Sequence, residues 1–183
     1  MNHAHEALQR ENPMNEHSDE RIQDAAMARI FEHFSDEAPL ELQVLKGHLI
    51  IEVQLRELFE MQLAHPHALK GSDAPKFDCH QIICLVQAIS PPTNQEHWLW
   101  PALKTLNSIR NSLAHQLDQK ELASKVKSLV KRVNQDVHAH KTMFKSKALQ
   151  GADQFFAAML VMSGVLTKLK AIVAAEQRAR QAD

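Results

Sequence analysis

A chain of 183 residues can form one domain with a real hydrophobic core. With 44% hydrophobic residues, 23% charged residues and a net charge of −1, it has the make-up of a soluble globular protein rather than a disordered one. Ala, Leu, Gln, Lys and Glu dominate, there are only 4 Gly and 7 Pro, and Tyr is absent. These residues favour helix over sheet, so the expected fold is all-α, an antiparallel bundle of about five to six helices.

The charge is uneven. Residues 1–116 hold 9 Lys+Arg against 16 Asp+Glu, whereas residues 117–183 hold 12 against 6. A basic second half can attract phosphate, or pair with the acidic half of its own fold or of a partner subunit. Cys79 and Cys84 lie five apart in an expected helix, about 140° round its axis. That spacing suits neither chelation of one metal nor a disulfide, so two buried free thiols in a reducing compartment are expected. With no apolar run of membrane-spanning length and no signal-peptide core, the expected location is the cytoplasm, with no membrane partner.

Residues 1–18 are polar and lack an apolar period, which marks them as a mobile N-terminal tail preceding a single domain at 19–183. Ser18 or Asp19 can cap a first helix running to about Phe34, with Ile22, Ala26, Ile30 and Phe34 as its apolar stripe. A second helix is expected over 40–64. Leu42, Leu45, Leu49, Val53, Phe59 and Leu63 line one side, and Val44, Ile51, Leu55 and Leu58 another. A helix apolar on two sides should be buried on two sides, at the centre of a bundle. His48, Glu52 and Arg56 form an i, i+4 ladder along it.

Two Pro and a Gly-Ser-Asp make 65–76 a loop. His65 and His67 within it lack a carboxylate or thiolate and make a poor metal site. A shorter helix is expected over 77–90, with His80 as a half-buried histidine. Pro91-Pro92-Thr93-Asn94 breaks the chain, and 96–100 should form an entry turn whose Trp98 and Trp100 act as packing anchors. A helix over 101–117 then starts with Pro101 in its first turn. Leu99, Leu103, Leu106, Ile109, Leu113 and Leu117 form its core stripe, and Asn107, Asn111 and His115 a polar ladder on another side. Arg110 flanks the stripe, with its stem covered and its guanidinium free.

A further helix, about 119–145, buries Leu122, Val126, Leu129, Val130, Val133 and Val137. Residues 118–147 carry 8 Lys+Arg against 3 Asp+Glu. Lys120, Lys127 and Lys131, with Lys125 and Arg132, make either a solvated face or an electrostatic rail for nucleic acid. His138 and His140 point to two sides and do not chelate well. The last helix, about 148–178, is apolar enough to cover a core and a partner.

The string Leu106-Asn107-x-x-Arg110-Asn111-x-x-Ala114-His115 resembles the signature of the HEPN superfamily, in which an Arg precedes a His by four to six residues. Gly47-His48-Leu49-Ile50-Ile51-Glu52 is similar to the first helix of several HEPN branches, where an acidic or polar residue faces the site. The resemblance spans roughly residues 40–117. It implies a helical bundle that dimerises with its motif helices facing, so that two Arg–His sets form one cleft. It also implies a metal-independent ribonuclease, with RNA as substrate, no cofactor, and in some branches an antitoxin or regulatory protein as partner. Non-catalytic members acting as regulators or binding modules share the motif. Several toxin branches carry a Tyr two residues after the motif His, where this chain has Leu117.

On this basis Arg110 and His115 are the catalytic candidates. His115 can move protons near neutrality, and Arg110 offers a fork of donors to phosphate. Asn111 can support both. Glu52 either completes a self-satisfied row with His48 and Arg56 or orients Arg110. No metal ligand is expected.

Overall fold

A computed structural model describes residues 38–92, 96–115, 118–135 and 154–182. The expected tail at 1–18, the helix at 19–34, Leu117, Val137, His138 and His140 lie outside the described residues. Among those described there are five helices and no strand: α1 (Leu40–Met61), α2 (Cys79–Ile89), α3 (Glu96–Leu113), α4 (Gln119–Gln135) and α5 (Gln154–Ala182).

Helix α1 is the hub, packing against α2, α3 and α5, while α4 closes the bundle against α3 and α5. Its inner face carries Val44, Ile51, Leu55, Leu58 and Phe59, all buried. The expectation that α1 is buried on two sides holds only at its C-terminal end, where Phe59 is buried and Leu63 packs against the core; along the rest of that side nothing among the described residues covers it. Leu42, Leu45, Leu49 and Val53 are exposed, Leu49 at 62%. α2 and α3 flank the His48 side of α1 and α5 takes the opposite flank, so the stripe between those flanks faces outward.

Nor is the bundle antiparallel throughout. Along α1, Gln54 Nε2 donates to Ser163 Oγ at 2.7 Å, Glu57 pairs with Lys170, and the Met61 carbonyl accepts from Gln177. Partners rise together along both chains, so α1 and α5 run parallel. The same holds for α2, whose flanks are met in order: Arg56 Nη2 donates to the Phe77 carbonyl at 3.1 Å and Gln62 Nε2 to Ser90 Oγ at 3.2 Å. Residues 62–78 make this possible. That stretch can span about 50 Å extended, and α2 is only about 16 Å long. The connection contains a short 3₁₀ turn at Pro66–Leu69, followed by Gly71 at φ 120°, a backbone angle that favours glycine.

The start of α2 is fixed by a reciprocal cap. The Gln81 backbone N–H donates to Asp78 Oδ1 at 2.8 Å and the Asp78 N–H to Gln81 Oε1 at 2.9 Å. Helix α3 begins at Glu96, not at Pro101, so Trp98, Leu99 and Trp100 belong to it and are buried. Pro101 therefore sits inside the helix and removes one of its hydrogen bonds. Burial of both tryptophan rings offsets that loss.

Residues Gln154–Gln181 of α5 are long and apolar enough to cross a membrane, with a mean hydropathy of 1.7 in the most apolar stretch. This departs from the expectation that no run reaches that length. Within the fold 67% of that stretch is buried, and Ser163 receives the bond from Gln54, as befits a core helix.

The two faces of α1 should differ sharply on truncation. Leu55→Ala, at a fully buried position, lowers stability by about 2–5 kcal/mol, whereas Leu49→Ala changes it by no more than about 0.5 kcal/mol. Urea denaturation of the two variants checks this.

Candidate functional site

On α3, Leu99, Leu103, Leu106 and Ile109 turn into the core, as their spacing predicts, and Leu113 is half-buried. The opposite surface carries Lys104, Asn107, Ser108, Asn111 and Ser112. These side chains, with His115, form one wall of an open cleft of about 600 Å³. His80 of α2 and Glu121 and Lys125 of α4 supply the rest. The expected ladder Asn107–Asn111–His115 thus does line a single concavity. His115 itself follows the helix end, in a turn whose N–H groups at 114 and 115 donate to the carbonyls of Asn111 and Ser112.

Asn107 is the inner anchor of that wall. It is not solvated, as a polar ladder suggests, but only 6% exposed. Its Oδ1 lies 3.0 Å from His48 Nε2 of α1, whose imidazole is 5% exposed. Burial holds the His48 pKa below its ordinary value, against the upward pull of the Asn107 bond and the Glu52 carboxylate; the Arg110 charge lowers it further. The ring is therefore neutral near pH 7.

Arg110 does not line the cleft. It projects about 140° round the helix from His115 and is exposed, with its Nη1 donating to Asn111 Oδ1 at 3.1 Å. Glu52 does not hold it. The Glu52 Oε1 atom accepts from Arg56 Nη2 at 2.6 Å and from Nε at 3.0 Å, and Oε2 lies 3.7 Å from His48 Nδ1. A neighbour one turn along the same helix wins over the guanidinium on α3.

Lys120, Lys127 and Lys131 are exposed and share one face of α4, but Lys125, about 120° or more round from them, is the lysine that reaches the cleft. Its Nζ pairs with Glu121 at 2.9 Å and donates to Ser112 Oγ at 3.2 Å. Lys104 closes the other end, donating to Gln87 Oε1 at 2.8 Å. The cations of the cleft are thus Lys104 and Lys125. Lys104 was legible in sequence, being one turn before Asn107 and Ser108. His80, exposed and 3.7 Å from Cys84 Sγ, comes from another helix and left no such signal.

The two thiols are free, and only Cys79 is even half-buried; Cys84 is exposed. Burial, reinforced by the Glu52 carboxylate, pushes the Cys79 thiol up to about 11. Cys79 Sγ, His48 and Glu52 lie with their ligating atoms within 4.8 Å of one another.

No family model matches this sequence, and no curated protein or solved structure matches it.

Two measurements follow from this geometry. Asn107→Leu strands the buried His48 N–H and should cost about 1–3 kcal/mol, part of which returns in the Asn107→Leu/His48→Leu double variant, as denaturant melts would show. At neutral pH, iodoacetamide should alkylate Cys84 readily. Cys79, with about a hundredfold less thiolate than an ordinary thiol, should lag far behind on peptide mapping by mass spectrometry.

Proposed function

We propose that this protein is a metal-independent endoribonuclease of HEPN type, acting in the cytoplasm as a homodimer in toxin, defence or RNA-processing work. The observation that carries the proposal is the cleft itself. Asn107, Asn111 and His115 line one open concavity, with the ammonium groups of Lys104 and Lys125 at its edges. Its size and donors suit a phosphodiester backbone and the sugar beside it.

In the proposed reaction an imidazole takes the proton from a ribose 2′-OH, and the 2′-oxygen attacks the adjacent phosphorus. The P–O5′ bond breaks, the 5′-oxygen receives a proton from a second acid, and the products are a 2′,3′-cyclic phosphate and a 5′-hydroxyl. His115 serves as one of the two proton-transfer groups. Asn111 and the lysines stabilise charge gathering on the phosphate oxygens.

The homodimer is part of the proposal for a geometric reason. In a single chain Arg110 stands outside the cleft, so its guanidinium can grip the scissile phosphate only where two motif helices face one another. The partner's His115 is then the second proton-transfer group. Lys120, Lys127 and Lys131 are exposed on another face of α4, where they can hold flanking RNA. Glu52 has no catalytic part in this scheme, being bound to Arg56.

A second reading is a non-catalytic helical dimer that serves as a regulator or binding module. The exposed Leu42, Leu45, Leu49 and Val53 stripe favours it, as a surface for a protein partner.

The deciding assay is purified protein with mixed cellular RNA in the presence of a chelator. Wild type should release fragments with cyclic-phosphate ends and leave DNA intact. His115→Ala should slow cleavage about 100-fold or more, and Arg110→Ala about 100- to 1,000-fold, with the dimer intact. Mixing wild type with His115→Ala should lower activity by more than dilution alone, because a mixed dimer keeps only one of the two proton-transfer imidazoles. Wild-type protein that binds but never cuts RNA would favour the second reading.

A further inference from the structure

Outside the cleft, three side chains converge beneath Asn107 without a role in the proposed chemistry: His48 and Glu52 from the middle of α1, and Cys79 from the first residue of α2. Each offers one donor atom, and the three atoms lie within 4.8 Å of one another.

The arrangement of protons makes this cluster unusual. Asn107 Oδ1 can only accept, so the bond at 3.0 Å requires His48 Nε2 to carry the ring proton. In the neutral ring Nδ1 is then a bare lone pair. It faces Glu52 Oε2 at 3.7 Å, beyond hydrogen-bonding range and with no proton between them. The Glu52 carboxylate is turned this way because Arg56 occupies its other oxygen. Two acceptors and a thiol therefore point into one half-buried space, an arrangement that a cation would relieve.

We propose that His48 Nδ1, Glu52 Oε2 and Cys79 Sγ bind one divalent transition-metal ion of the zinc class. Imidazole, thiolate and a single carboxylate oxygen are the donors zinc prefers over magnesium or calcium. Around zinc such atoms lie about 3.3–3.8 Å apart. The nitrogen–oxygen pair lies close to that spacing at 3.7 Å, and the Cys79 Sγ atom, within 4.8 Å of both, closes the remainder by turning about its Cα–Cβ bond. Asn107 holds the far nitrogen of the imidazole, the usual second partner of a ligating histidine. On binding, Cys79 loses its thiol proton to solvent as the sulfur–metal bond forms, and the ion with one thiolate and one carboxylate is electrically neutral. The fourth position is left for water. The ion would tie α1 to the start of α2 and stiffen the support of Asn107. This site is independent of the ribonuclease proposal, since none of its three ligands enters the cleft.

The test uses the full chain, reduced, stripped of metal and titrated with cobalt(II), then zinc. The expected result is a thiolate-to-cobalt absorption in the near ultraviolet that saturates at one equivalent per chain, is bleached by zinc, and accompanies a rise in melting temperature. Cys79→Ser should abolish the absorption and the rise, whereas Cys84→Ser should leave both. Asn107→Ala should weaken zinc about 10- to 100-fold through the imidazole. A reduced wild type with no thiolate–cobalt absorption overturns the proposal. So does an absorption that survives Cys79→Ser and vanishes with Cys84→Ser, since that would place the ion with Cys84 and His80.

Discussion

The bond between His48 and Asn107 is the constraint on which the functional surface depends. Helices α1 and α3 meet mainly through apolar side chains, and apolar contact alone tolerates sliding and rotation. One buried polar pair at 3.0 Å does not, because any other register leaves an imidazole and a carboxamide desolvated without partners. Fixing Asn107 against α1 fixes the rotation of α3. One turn further Asn111 faces the cleft, and His115 follows where the helix ends. The same bond turns Arg110 to the α1 side and away from His115.

Much of the architecture could be read from periodicity. The stripe Leu99, Leu103, Leu106 and Ile109 is buried as its spacing demands, and α4 buries Leu122, Val126, Leu129, Val130 and Val133 in register. The helix expected from 77 starts instead at Cys79, because the Asp78 and Gln81 side chains close a capping box in front of it. Periodicity shows that a face is apolar, but not that something covers it. In α1 two apolar faces look equivalent in sequence, yet among the described residues one is covered throughout and the other only at Phe59 and Leu63. Helix direction was equally hidden. Parallel pairing of α1 with α2 depends on how far residues 62–78 reach, and composition does not encode the path of a loop.

The candidate site divides along the same line. Residues close along one stretch of chain were found together: Asn107 and Asn111 occupy one wall because a single wheel relates them, and the turn after Leu113 carries His115 onto the same wall. Residues from different helices were not. His80 and Lys125 join the cleft through packing, while Glu52, which the resemblance would turn to Arg110, completes the row with His48 and Arg56 instead. Charge complementarity in a sequence leaves partners undetermined, and here the i, i+4 neighbour Arg56 was the closer cation for Glu52.

The polar side chains of the cleft differ in how firmly they are held. Lys125 is shared between Glu121 and Ser112; the lysine is half-buried and Glu121 exposed, so the pair stays open to solvent. Pairs of that kind are worth about 0–1 kcal/mol, because water solvates either partner nearly as well. The Lys125 ammonium is therefore held only weakly by Glu121. Asn111 is different, because its oxygen is already held by Arg110, which leaves its amide N–H groups as the donors presented to a ligand. The arginine thus acts on the cleft within one chain by orienting a carboxamide, while its own guanidinium lies outside the wall that carries Asn107, Asn111 and His115.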